Sequence, residues 1–143
     1  MTKKLLKDIS DIRVGHTFRG KVPRNPEGEM AFLTIRDIKE GGAVSPHELE
    51  RMDPQVVNEQ LILRHQDILI PGRGDHYRAA LFCEDDSPSY PVIASNLVFI
   101  IRARQKQILP LYLLWVLSQE KIETFLRGVT RGSSIPFLPK SNL

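Results

Sequence analysis

The sequence predicts a single α+β domain in which a mixed, mainly antiparallel β-sheet is followed by C-terminal helices. Short apolar runs separated by glycine- and proline-containing turns occur through residues 6–102, as is typical of strands. The last third of the chain instead spaces its apolar residues as helices do. A length of 143 residues with ten prolines and nine glycines fits one turn-rich domain better than a plain helical bundle.

The sheet is expected to contain about five strands. The candidate segments are a strand that ends at Val14 and residues 30–35, 67–70, 78–83, 92–94 and 97–102. Pro71-Gly72 predicts a type II turn, after which 78–83 returns as the antiparallel partner of 67–70. Residues 97–101 are apolar throughout, so this strand is expected at the sheet centre.

Helices are predicted at three places. Ser45 as N-cap, Pro46 in the first turn and Glu48 as the capping-box partner predict a short helix that ends before Asp53. Another helix is expected to begin at Pro110. The i, i+3, i+4, i+7 spacing of a last helix is carried by Ile122, Phe125, Leu126 and Val129.

Basic residues concentrate at the two ends of the chain, although the net charge is only +3. Residues 1–24 and 101–143 each carry seven Lys or Arg against two acids, whereas residues 25–100 carry six against thirteen. The ends therefore sum to +10 and the middle to −7. One interpretation is a single positive face that binds a polyanion, since chain ends often lie side by side. The other is two solvated ends without a partner.

Several classes of protein are not expected. Cys83 is the single cysteine, which excludes an internal disulfide and suits a reducing cytoplasm. Asp8 interrupts the N-terminus before a signal peptide could form, and the apolar run 111–117 is far shorter than the ~20 residues that span a bilayer. The four histidines lack metal-ligand spacing, so no metal or other cofactor is predicted.

Catalytic motifs are incomplete. Residues 15–21 match the G-x-x-x-x-G-K phosphate loop, but Val22 and Pro23 replace the Ser or Thr and the helix that nucleotide hydrolysis requires. His65 and Asp67, two apart, would share one side of a strand and form an orienting pair, yet no nucleophile accompanies them. We therefore do not expect an enzyme.

Two loops carry residue types that contact DNA. Arg73 and His76 lie on the turn between two predicted strands, where they either approach a phosphate backbone or are simply solvated. Arg131, Ser133 and Ser134 follow the last predicted helix in a basic region. Arginine is the commonest partner of guanine in the major groove, although a flexible helix C-cap also explains this segment.

The motifs, taken in order, resemble the target-recognition domain of type I restriction–modification specificity subunits. The resemblance covers nearly the whole chain and rests on residues 6–13, Gly15 with 17–21, 35–38, 66–70 with 72–74, 94–102, 108–113, 132–136 and 140–143. It implies a non-catalytic domain that recognises one half of a split duplex-DNA target. It also implies partner subunits: a methyltransferase that acts with S-adenosylmethionine and, beyond it, a restriction subunit.

The resemblance also suggests where DNA is contacted. The candidate residues lie on predicted loops: Thr17, Arg19, Lys21, Arg24, Arg73, His76, Arg131, Ser133 and Ser134. We expect Arg19 and Lys21 to contact the backbone, and some of Arg73, Arg131 and Ser133 to contact bases. Residues 1–143 are expected to be one recognition domain without the second recognition domain and the spacer helices of a full subunit. The alternative is an interaction protein of the same fold that docks a methyltransferase or another partner without recognising DNA.

Overall fold

A computed structural model of the chain describes residues 9–38, 43–72, 79–84, 90–104 and 106–118. Within these residues the elements follow in the order β1 (Ser10–Val14), β2 (Met30–Leu33), β3 (Ala43–Val44), β4 (Glu50–Met52), β5 (Ile68–Pro71), β6 (Ala80–Phe82), β7 (Val92–Ala94), β8 (Val98–Ala103) and α1 (Pro110–Leu117). Short 3₁₀ turns occupy Ile35–Asp37, Pro46–Glu48 and Glu59–Leu61. The predicted α+β class is confirmed. No helix in the described part of the chain is long and apolar enough to cross a membrane.

The described strands form two sheets rather than one. A five-stranded sheet has the order β1-β8-β5-β6-β3, and only its β6–β3 pair is parallel. A three-stranded sheet has the order β4-β2-β7, with β2 antiparallel to β4 and parallel to β7. The sequence did not predict the second sheet, because no local pattern indicates that Ala31 pairs with Val92.

Side chains that alternate along the strands build the core in layers. One face of each sheet contributes to a cluster between the two sheets, with members such as Leu33, Ala94, Leu69 and Ile100. The other face of the five-stranded sheet packs against α1 through Ile68, Phe99, Ile101, Leu113 and Leu117. The outer face of the three-stranded sheet carries a third cluster of Met30, Phe32, Met52 and Ile93. Helix α1 and the third cluster therefore lie at opposite ends of the stack of layers.

The antiparallel return of residues 78–83 onto 67–70 is confirmed as the β5–β6 pair. The strand predicted at 97–102 is β8, which lies inside the sheet, although β5 is the middle strand. The predicted helix that begins at Pro110 is α1. The predicted helix over 122–129 lies outside the described residues.

The helix predicted after Ser45 is wrong. Residues Pro46–Glu48 form one 3₁₀ turn, and the Ser45 side chain makes no capping hydrogen bond. The chain then enters β4, where Glu50 pairs with Phe32. Long-range strand pairing of this kind overrides a local capping signal, since a signal at one end of a segment contributes only about 1 kcal/mol.

Candidate nucleic-acid interface

Residues 15–24, here called the basic loop, leave β1 and are fastened at their start to the neighbouring strands. The Gly15 amide donates to the Val98 carbonyl oxygen at 3.1 Å, and the His16 amide donates to the Ala94 carbonyl oxygen at 2.8 Å. A Cβ atom at position 15 would lie 2.1 Å from the Ser95 carbonyl oxygen and 2.4 Å from that of Ala94. The approach of two backbones therefore requires glycine here.

The far end of the basic loop is fastened to β4 and to Asp53, which follows it. The Asp53 amide donates to the Pro23 carbonyl oxygen at 3.0 Å, and the Asn25 amide donates to the Arg51 carbonyl oxygen at 3.0 Å. The Asn25 side-chain amide also donates to the Asp53 carboxylate at 2.8 Å. Both ends of the loop are thus held by backbone hydrogen bonds to the rest of the fold.

Apolar residues of the basic loop pack inward and leave its polar residues outside. Phe18 and Val22 lie against the third cluster on the outer face of the three-stranded sheet. The Phe18 ring stands edge-on to the rings of His16 and Phe32, with centroid distances of 5.0 and 6.1 Å. The side chains of Thr17, Arg19 and Lys21, which adjoin Phe18 or Val22 in the sequence, are exposed. Three of the predicted DNA-contacting residues therefore share one solvent-facing edge.

The cations of the basic loop differ in their partners. Neither Arg19 nor Lys21 pairs with an acid in the described part of the chain. Arg24 instead donates from Nε to the Glu50 carboxylate at 2.7 Å, and its guanidinium lies 5.7 Å from the centre of the Phe32 ring. Arg24 therefore fixes the loop to β4, and its predicted contact with DNA stays a prediction.

A cleft opens between the basic loop and residues 53–58, here called the Pro54 loop. Its volume is about 570 Å³. One wall carries the exposed cations Arg19 and Lys21, and the other carries Gln55 and Val56. The cleft thus combines positive charge with an apolar side chain. The hydrogen bond between Asp53 and Pro23 joins the two loops that form it.

The geometry does not fit a nucleotide phosphate loop. Such a loop presents free backbone amides to the phosphates and leads into a helix. Here the amides of Gly15 and His16 are bound to Val98 and Ala94, and the chain after Lys21 continues through Val22 and Pro23 without a helix. This agrees with the expectation drawn from the sequence.

The sequence analysis missed a buried ion pair that connects the start of β5 with the end of β8. Asp67 is 1% exposed, and its two carboxylate oxygens accept from Nε and Nη2 of Arg102 at 2.8 Å each. Arg102 also donates to the Ile62 carbonyl oxygen at 3.2 Å, and Asp67 accepts from the Arg64 amide at 2.8 Å. The sequence contained a signal for this pair. Asp67 directly precedes the apolar run 68–71 and Arg102 directly follows the apolar run 97–101, where an unpaired charge is costly.

The hydrogen bond to Asp67 raises the pKa of Arg102, and the charges of Asp67 and Asp11 act in the same direction, while burial opposes them. A raised pKa in the folded state means that the arginine side of the pair stabilises the fold at every pH below the ordinary pKa of arginine. The predicted pairing of His65 with Asp67 is wrong, because the His65 Nδ1 atom instead accepts from the Glu84 amide at 3.1 Å.

The remaining predicted contact residues lie outside the described residues: Arg73, His76, Arg131, Ser133 and Ser134. They stay predictions. Among the residues that the structure describes, no group of three His, Cys, Asp or Glu side chains is arranged to hold a metal ion.

The solved structures that resemble this chain include two S subunits. The S subunit of a type I restriction–modification system from M. genitalium superposes with a TM-score of 0.59 and 14% sequence identity, over 99% of this chain and 32% of that one. The HsdS subunit from Thermoanaerobacter tengcongensis superposes with a TM-score of 0.56 and 17% identity, over 96% and 32%. The chain has the fold of an S-subunit segment. Neither a family model nor a curated protein matches the sequence.

The chain spans about a third of the length of these S subunits. The two superpositions cover 96–99% of this chain. Identities of 14–17% establish the S-subunit fold, and they do not carry over individual side chains.

Proposed function

We propose that this chain is a target-recognition domain of a type I restriction–modification specificity subunit, which binds duplex DNA sequence-specifically in the cytoplasm. It recognises one half of a bipartite target and is not itself catalytic. The fold likeness to two S subunits supports the class of protein. The observation that carries DNA binding is that Arg19 and Lys21, which have no ion-pair partner among the described residues, lie on a loop that is fastened at both ends.

Unpartnered cations on a preformed loop suit a phosphate backbone. Each cation that neutralises a phosphate releases a condensed counterion, which drives binding without specifying a sequence. Arg19 and Lys21 need not break an ion pair with a described residue before they bind, unlike Arg24 with Glu50. Because Phe18 and Val22 already pack on the core, little loop entropy is lost on association.

The chemistry of the assembly belongs to other subunits. Methyltransferase subunits that use S-adenosylmethionine would modify the recognised site, and a restriction subunit would cleave unmodified DNA. This chain would contribute only recognition of the DNA site.

A selection from a random duplex library at moderate salt tests this function. We expect the bound fraction, once sequenced, to contain a short enriched motif that corresponds to one half-site. The matched control is the Arg19→Ala/Lys21→Ala double variant, which should fold normally and retain little DNA. Binding without a motif would contradict sequence recognition, and no binding by the folded protein would contradict a DNA-binding role altogether.

The outer face of α1 favours a second candidate, an interaction protein that docks a methyltransferase without recognising DNA. Leu111, Tyr112 and Trp115 are each more than half exposed on this helix, and the Tyr112 and Trp115 rings stack with centroids 6.0 Å apart. Exposed apolar groups in one patch are typical of protein docking sites. This candidate predicts an affinity for DNA that is weak and nearly independent of salt, and loss of methyltransferase binding in Leu111→Glu.

A further inference from the structure

The Pro54 loop presents one aliphatic side chain entirely to solvent. Val56 is 101% exposed, whereas its neighbour Val57 packs against the third cluster. Only one of the two valines is therefore needed by the core. A single exposed valine is ordinary on a protein surface, so its position rather than its exposure is informative. Val56 lines the same cleft as Arg19 and Lys21.

Local hydrogen bonds hold the Pro54 loop in shape. Asp53 is bound through its amide to Pro23 and through its carboxylate to Asn25. At the other end the Asn58 side chain accepts from the Gln60 amide at 2.9 Å. The Gln55 side-chain amide donates to the Pro54 carbonyl oxygen at 3.1 Å, and so stabilises the tip itself. The loop holds Val56 outward before any ligand arrives, which lowers the entropic cost of a contact.

The charges of the two walls assign them different parts of a DNA duplex. The basic wall carries Arg19 and Lys21, which suit phosphates. The Pro54 loop contains one acid, Asp53, and no Lys or Arg, so it cannot neutralise a phosphate backbone. What its tip offers is an apolar surface. In the major groove the thymine C5-methyl group is the apolar feature of the base-pair edges.

We propose that Val56 is a specificity-determining residue that contacts a thymine C5-methyl group in the major groove while the basic loop holds the adjacent backbone. This inference rests on the proposed function. It adds the base that is recognised, the group on that base that is contacted, and the side chain that contacts it. It predicts a thymine at a defined position of the half-site, beside the phosphates that Arg19 and Lys21 contact. A side chain without hydrogen-bonding groups would then select one base pair through its methyl groups alone.

The contact is tested by removing the C5-methyl group of thymine from the DNA and, separately, the methyl groups of Val56 from the protein. Each thymine of the selected motif is replaced singly by deoxyuridine, which lacks only the C5-methyl group, and binding is measured for the unmodified protein and for Val56→Ala. We expect one deoxyuridine position to weaken binding of the unmodified protein about fourfold, the loss that corresponds to one buried methyl group. Val56→Ala should bind thymine and deoxyuridine alike at that position. Val116→Ala, the same truncation at a partly exposed valine of α1, is the control and should discriminate as the unmodified protein does.

The outcomes separate this inference from the proposed function. A motif that contains no thymine, or a deoxyuridine effect that Val56→Ala leaves unchanged, would overturn the role of Val56 while sequence-specific DNA binding stands. Absence of any motif would overturn both. Because Val56 is fully exposed, Val56→Ala is expected to fold normally, and a melting curve for the variant checks this directly.

Discussion

Asp67 and Arg102 form a bidentate pair, 35 positions apart in the sequence, in which both hydrogen bonds measure 2.8 Å. Asp67 precedes β5 and Arg102 lies near the end of β8, so the pair joins two neighbouring strands of the five-stranded sheet. Arg102 extends the connection to the Ile62 carbonyl oxygen. The Arg102 guanidinium thereby connects β5 and β8 to the segment that follows the Pro54 loop.

Asp67→Asn is expected to destabilise the domain by about 3 kcal/mol, since removal of one partner of a buried pair leaves the other charge uncompensated. Urea denaturation of the variant measures the loss. The matched control is Asp11→Asn, because Asp11 pairs with Arg104 at 3.2 Å on the surface with both side chains about half exposed. That change should cost less than about 1 kcal/mol. Equal effects of the two substitutions would contradict the structural role of Asp67.

Gly15→Ala is expected to destabilise the fold by about 1–3 kcal/mol and to weaken DNA binding, because the new Cβ atom would meet two backbone carbonyl oxygens that cannot turn away. Thermal unfolding and DNA titration measure the two effects. Gly20→Asn is the control: φ at Gly20 is +77°, nothing lies within 4 Å, and asparagine tolerates this conformation. The anchoring of the basic loop would be in doubt if Gly15→Ala were as stable as Gly20→Asn.

Arg19→Ala and Lys21→Ala should each reduce the slope of log affinity against log salt concentration by about one, without changing the preferred sequence. Titrations of one duplex at several salt concentrations give the slope. Lys106→Ala provides the charge-matched control, because Lys106 is exposed in the turn that leads to α1, on the opposite side of the layers. A slope that changes equally in all three variants would argue against a localised backbone contact.

Phe18→Ala should lower affinity for DNA but leave the salt slope unchanged. Phe18 carries no charge, yet it packs the basic loop onto Phe32, so its removal loosens the loop that presents Arg19 and Lys21. A loss of stability of about 2 kcal/mol is expected alongside, less than for a fully buried phenylalanine. Phe18→Leu, which keeps most of the apolar contact, should retain most of the affinity. A reduced salt slope in Phe18→Ala would contradict the view that Phe18 only positions the loop while Arg19 and Lys21 supply the charge.

Strands were predictable where a buried run ended at a turn. Ile68–Pro71, with Pro71-Gly72 behind it, and the apolar run that became β8 were both expected. What local patterns could not provide was the partner of each strand. Met30–Leu33 and Val92–Ala94 pair in parallel, although a whole set of other strands separates them along the chain. The side-chain period of two is the same in either sheet, so it carries no information about sheet membership.

For the candidate site, the sequence predicted contacts from Arg19 and Lys21 on the basis of their loop positions. Both residues are exposed in the structure, and their contact with DNA stays a prediction. Arg24 was assigned to DNA for the same reason, but its partner Glu50 lies on a strand that the sequence suggested was a helix. Val56 was not among the predicted site residues, because the sequence Val56-Val57 does not indicate which of the two valines is buried. Only the fold distinguishes the two.

Pairing of Ser10 with Ala103 constrains how the protein is made. During synthesis β8 leaves the ribosome only after all the residues that separate it from β1, and the chain grows at about 5–20 residues per second. For several seconds β1 is therefore an unpaired edge, which exposes the nascent chain to association with other strands. The carbonyl oxygens of Ala94 and Val98 that fasten the basic loop appear equally late. The basic loop of a nascent chain is thus anchored only after β8, the last of the described strands, has joined the sheet.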